Sequence, residues 1–132
     1  MTQTSVELFW AQPSDDGGCP LSGYSILRDD GLGGSFTEVH VAAVNNLPSL
    51  DTYIVTDLTA SPVGKRFRFR MVAYNIGGKS VTSSSLRVTI ASTPSTPLLP
   101  PSPDTTTTSG AVIRIVYSAP SDGGSTITNY EI

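Results

Sequence analysis

Apolar and polar positions alternate with a period of two along several short stretches of this chain, and no segment keeps a helical period over three turns. Val6, Leu8 and Trp10 alternate with Glu7 and Phe9, which predicts a strand over 5–10 with one buried face. Trp10 is the largest apolar side chain and is expected at the centre of the core. Tyr24 and Ile26 predict an inward-facing pair in a strand over 24–28. Phe36–Ala43 and Thr52–Thr56 read as strands, the second with Tyr53 and Val55 on one face. The most regular alternation runs from Arg66 to Tyr74. It puts Phe67, Phe69, Met71 and Ala73 inward and Arg66, Arg68, Arg70 and Val72 outward. A further strand is clearest over Leu86–Ile90.

Turn chemistry separates these runs. Asp15, Asp16, Gly17 and Gly18 mark the first turn, Asp29–Gly34 the next, and Gly77-Gly78 a hairpin. Pro48 keeps 45–49 out of a central strand, and another turn is expected around Pro62 and Gly64. Ser92–Pro103 holds five of the ten prolines in twelve residues. Such a segment is expected to stay out of a sheet and to run as polyproline II, a semi-rigid spacer of about 3.1 Å per residue. Asp104–Thr108 and Ala111–Ser118 read as the next two strands.

One stretch occurs almost twice. Val6–Ile26 and Ile113–Ile132 each contain an alternating apolar strand, a Pro, an acidic Gly-Gly turn and a strand opening on Tyr. Pro13 to Pro120 is an offset of 107 (120 minus 13). Gly17 to Gly123 and Tyr24 to Tyr130 are offsets of 106, so the second copy is one residue shorter in its turn. A period this long suits whole domains in tandem rather than a solenoid unit.

The residues that carry the repeat also carry a resemblance. Trp10, Pro13, Gly17-Gly18 and Tyr24-x-Ile26 resemble strand B, the BC loop and strand C of a fibronectin type III domain. Leu58, then Phe67–Ser80, is similar to that family's E–F corner, strand F and FG turn. The second copy's wording, Pro120-Ser-Asp-Gly-Gly, is most similar to modules of titin-like filament proteins. The resemblance implies an all-β, immunoglobulin-like sandwich over residues 1–91, with most of strand A missing because only four residues precede Ser5. Residues 92–103 would be a linker, and 104–132 the opening of a second module. Two strands and the start of a third cannot close a second sandwich. Ile113, Ile115 and Tyr117 are therefore expected to lack cover, and the stretch from Ser92 to be mobile. The family usually has Tyr at the corner where this chain has Phe67, so a hydroxyl bond to nearby backbone is expected to be absent.

Composition narrows function by exclusion. Net charge is −3, against a generic binder of nucleic acid or of an anionic membrane. Cys19 is the single cysteine, so no intrachain disulfide forms. No Asn-x-Ser/Thr acceptor occurs, and no apolar run would span a membrane or form a secretory leader.

Candidate chemistry is sparse. Lys65, Arg66, Arg68 and Arg70 hold four of the eight basic residues. Alternation puts the three arginines on one outer face, a possible site for an acidic or phosphorylated partner. A solvated strand face is the plainer reading, and no aromatic residue interleaves with them there. Asp15-Asp16 and Asp29-Asp30 read as turn formers, since calcium-loop spacing is absent. His40 stands alone, without the ligands a zinc site needs, and Cys19 has no basic neighbour in sequence to activate it. Pro94, Pro97 and Pro100 have PxxP spacing without a flanking basic residue. No catalytic residue, cofactor or metal is expected. The expected partners are other proteins and neighbouring modules of the same polypeptide. The leading reading is a non-catalytic spacer and docking module, with the titin-like wording leaning toward an intracellular filament such as cytoskeleton or cilium. An extracellular adhesion module and an accessory module of a secreted carbohydrate-active enzyme remain as alternatives.

Overall fold

A computed structural model describes residues 5–39, 46–56, 58, 63–106 and 110–131. His40 and Pro62 lie outside the described residues, as do the ends of the expected 36–43 and 104–108 strands, and Thr105-Thr106 is a turn rather than a strand. Nine strands occur among the described residues, and no helix. They are β1 (Val6–Phe9), β2 (Gly23–Arg28), β3 (Thr37–Val39), β4 (Thr52–Val55), β5 (Arg66–Asn75), β6 (Gly78–Lys79), β7 (Leu86–Thr89), β8 (Ser102–Pro103) and β9 (Ile115–Val116).

Two sheets form the sandwich. β1 pairs antiparallel with β4, placing Val6 opposite Val55 and Leu8 opposite Tyr53. The larger sheet runs β3-β2-β5, with β6 and β7 both on the far side of β5. The alternation in β1 and β5 is the reason these sheets face one another. Val6, Leu8, Tyr24, Ile26, Val39, Val55, Phe67, Phe69 and Ile90 form the buried cluster between them. Burying each large side chain of this kind contributes roughly 1.5–3 kcal/mol. Phe67 is fully buried, so the aromatic ring alone fills the corner where the family has Tyr.

Trp10 is not the centre of that cluster. It is half-buried at the cluster's edge, with its ring 5.6 Å from that of Tyr24 in a T-shaped contact. The reason is its place one residue past the end of β1, beside a groove of about 460 Å³ that separates β1 from residues 80–84. Trp10 Nε1 and Tyr24 Oη are buried without a hydrogen-bond partner among the described residues. Burial pushes the Tyr24 phenol's pKa up. Val72 is also not outward and free: it is buried on the outer face, paired with buried Ser25. Glu38 and the Tyr74 hydroxyl both reach Ser25 Oγ across that face.

The edge beyond β5 is built partly from serine. Between β6 and β7, Ser80 and Ser83 donate backbone N–H to Ala73 and Met71 carbonyls. The Ser83 hydroxyl in turn accepts the Met71 N–H at 3.0 Å, and the Ser80 hydroxyl the Ala73 N–H at 3.1 Å. Side chains thus continue a ladder that the backbone leaves irregular.

The proline-rich stretch departs from expectation. Ser102–Pro103 joins a sheet after all, as β8 paired with β9, and Asp104 N–H donates to Arg114 carbonyl at 2.8 Å. A two-residue edge pairing tolerates Pro because its missing N–H can point away from the partner. Ile113 is 76% exposed and Ile115 39%. Tyr117 and Tyr130 cover one another instead, with ring centroids 4.7 Å apart.

Candidate functional site

The arginine row is brought together on one face of β5, but its members are not equivalent. Arg66 is exposed, whereas Arg68 and Arg70 are half-buried. The cause is the turn after β2. Residues 30–36 fold over the outer face, and Phe36 stacks under both guanidinium groups, 5.0 Å from that of Arg68 and 4.4 Å from that of Arg70. An aromatic ring therefore does join the row, supplied by a loop. Arg70 Nε donates to Ser85 Oγ at 2.8 Å, and Arg68 Nη2 to Gly34 carbonyl at 2.8 Å.

Asp29 explains the position of Arg68. Its side chain is fully buried. It accepts the Arg68 N–H at 2.8 Å, Arg68 Nε at 2.7 Å and the Gly31 N–H at 3.1 Å. Burial pushes this carboxyl up, but those hydrogen bonds and the Arg68 charge outweigh it and hold its pKa below the usual range. The sequence signalled only a turn here, because Asp-Asp-Gly is turn chemistry. The pairing spans 39 residues and has no local signature.

The remaining acidic residues act within turns. Asp15 and Asp16 accept the N–H groups of Gly17 and Gly18, and Asp30 those of Leu32 and Gly34. Those two bonds hold the exposed Asp30 carboxyl low as well. Among the described residues no three His, Cys, Asp or Glu side chains gather as metal ligands. Cys19 is a half-buried free thiol.

The two ends of the sandwich carry the chain's other contacts. β5 is ten residues long, so its ends stand about 30 Å apart. At one end Asn75 ties the first acidic turn to the hairpin, donating from Nδ2 to Asp16 carbonyl at 2.6 Å. A hollow of about 360 Å³ lies there, between Asp15–Gly17 and Asn75–Ser80. At the opposite end sit Gly64 and the last residues after β7. Here the second copy of the repeated turn makes contact. Ser92 N–H donates to Gly123 carbonyl at 2.9 Å, and Ser95 N–H to Ser121 carbonyl at 3.0 Å. Ser121 N–H returns a bond to Ser95 Oγ at 3.0 Å. A Cβ at Gly124 would lie 2.6 Å from Gly64 Cα, so only glycine allows this approach. The stretch after Ser92 is thus tied to the sandwich.

No protein-family model matches the chain. Among solved structures it is similar to the twitchin kinase region from C. elegans (Fn31-NL-kin-CRD-Ig26). That match has 26% identity and a TM-score of 0.56 over 68% of this chain. The FN1–FN3 domains of chicken CNTN1 match at 24% identity and a TM-score of 0.55 over 75% of this chain. The fold is the fibronectin type III sandwich. A solution structure of a fibronectin type III domain derived from human KIAA0970 protein also matches, at 18% identity and a TM-score of 0.47 over 65% of this chain. The chain spans 14% of the twitchin structure and 31% of the CNTN1 structure. In fibronectin type III terms, the Asp15–Gly18 turn lies within the BC loop and β5 corresponds to strand F.

Proposed function

We propose that this chain is a non-catalytic spacer and docking piece of a larger multi-domain protein, acting through contacts between successive fibronectin type III modules. Residues 1–91 are the first module, 92–103 the linker and 104–132 the opening of the next. The observation that carries this is the contact of the 121–124 turn with Gly64, Ser92 and Ser95. It joins the start of one repeat to the far end of the other. The similar structures support the setting: the twitchin region has an Fn31 unit beside further parts, and the CNTN1 structure holds FN1–FN3. The titin-like wording of Pro120–Gly124 favours a filament such as cytoskeleton or cilium. Within this reading the arginine row meets acidic partners through Arg66, since Arg68 and Arg70 are engaged with Asp29, Phe36 and Ser85.

Amide exchange and 15N relaxation on the 132-residue chain test it. Ser92 and Ser95 amides are expected to exchange slowly, and residues 121–124 to tumble with β5. Exchange at free-peptide rates at both serines, with 121–124 reorienting independently, overturns the reading.

A further inference from the structure

The turn that docks at 121–124 has a twin whose outer side, at Gly18, meets nothing within this chain, while Asn75 holds its inner side at Asp16. Asp16-Gly17-Gly18 and Asp122-Gly123-Gly124 are built alike. Asp16 Oδ1 accepts the Gly18 N–H at 2.9 Å, and Asp122 Oδ1 the Gly124 N–H at 2.9 Å. The glycine φ angles are 72° and 80° in the first turn, and 64° and 87° in the second. One residue more separates Pro13 from this shared core than separates Pro120 from its own, so Asp15 stands where Ser121 does, directly before the aspartate. The surroundings differ completely. A Cβ at Gly124 would strike Gly64, whereas a Cβ at Gly18 would meet nothing within 4 Å. The second turn needs glycine for a neighbour it touches. The first has the same left-handed pair with open space around Gly18 and Asn75 against Gly17, and Asp15, in the place of Ser121, is exposed.

We infer that the Ser14–Gly18 turn is the docking surface for the far end of a preceding module of this same kind. The partner must present a glycine in the turn before its strand F, as Gly64 does. It must also present a Ser-Thr-Pro-Ser stretch after its last strand, as Ser92–Ser95 does. Its first serine N–H would donate to Gly17 carbonyl, and its second to Asp15 carbonyl, by the pairing seen at Gly123 and Ser121. Asp15 N–H would return a bond to the second serine's hydroxyl, as Ser121 does to Ser95. One rule would then set every junction, and the angle between modules would repeat along the array. This rests on the modular reading above, and it can fail while that reading stands.

The test is a head-to-tail fusion in which residues 5–111 of one copy are followed by residues 5–132 of a second. Ser5 then occupies the place of Val112, which preserves the offset of 107 (112 minus 5). Amide exchange is read at Ser92 and Ser95 of both copies, with β5 amides reporting that each sandwich is folded. The upstream serines are expected to match the protection of the downstream ones within about tenfold. Gly18→Ala in the downstream copy is expected to speed exchange at the upstream serines at least about tenfold and to leave the downstream serines unchanged. Small-angle scattering should report a fixed angle between the copies, lost in the variant. Free-peptide exchange at the upstream serines alone overturns this inference and leaves the modular reading intact. Free exchange at both sites overturns both.

Discussion

Asp29 carries a charge in a place without water. Three donors, one of them the Arg68 guanidinium, keep it ionised there. The sign of its pH effect follows. A carboxyl held below its ordinary value of about 3.9 stabilises the fold above that pH. The contribution is lost as pH falls through the lower, folded-state value. Melting temperature followed by circular dichroism is expected to hold steady down to about pH 4 and then to drop. Asp29→Asn is expected to be less stable at pH 7 and to show a flatter acid limb. An unchanged acid limb in the variant would assign the drop to other carboxyls.

At the scale of the strand, β5 presents three arginines with one spacing and three different duties. Arg68 neutralises Asp29, Arg70 caps Phe36 and bonds Ser85, and Arg66 is exposed. Arg68→Glu would put a second carboxylate beside a buried one, and breaking such a pair costs about 3–5 kcal/mol. Arg66→Glu is expected to stay within about 0.5 kcal/mol of the parent. Urea denaturation of the two variants measures the contrast, and equal midpoints would refute the division of labour. Alternation was enough to place β1, β2 and β5 and to orient Val6, Leu8, Tyr24, Ile26, Phe67 and Phe69, because period-two burial is a local property. It also put the arginines on one face. It could not tell that residues 30–36 would fold over that face, because cover comes from segments distant in sequence. Trp10 sits at the edge of the core for a related reason: size predicts that a ring is buried, but its depth depends on where the strand ends. Pro103 in β8 marks a third limit, since proline is excluded only from pairings that need its N–H.

Across the whole molecule, the repeat is where sequence and structure meet. The offset of 107 was legible from the residues alone. What the second turn touches was not, because nothing in Asp-Gly-Gly names Gly64 as its neighbour. The sandwich and the stretch after Ser92 also differ in how much holds them. The β2–β5 ladder pairs six residues with six, whereas the turn contact rests, among the described residues, on four hydrogen bonds and a glycine-on-glycine approach.

That inequality has a mechanical consequence. Tension between the ends of the chain loads the Ser92–Ser95 contact and the paired sheets in series, so the more weakly held contact yields first. The contact is expected to open first and let the linker lengthen while both sheets stay closed, with re-formation on release because no core has been exposed. Single-molecule stretching of the 132-residue chain should record a small, reversible step at low force ahead of the large rupture. Gly124→Val should remove the small step and leave the large one, whereas a parent trace with a single rupture would refute this order. The clasp would then work as a short spring in series with a stiff rod, setting how far an array yields before any module unfolds.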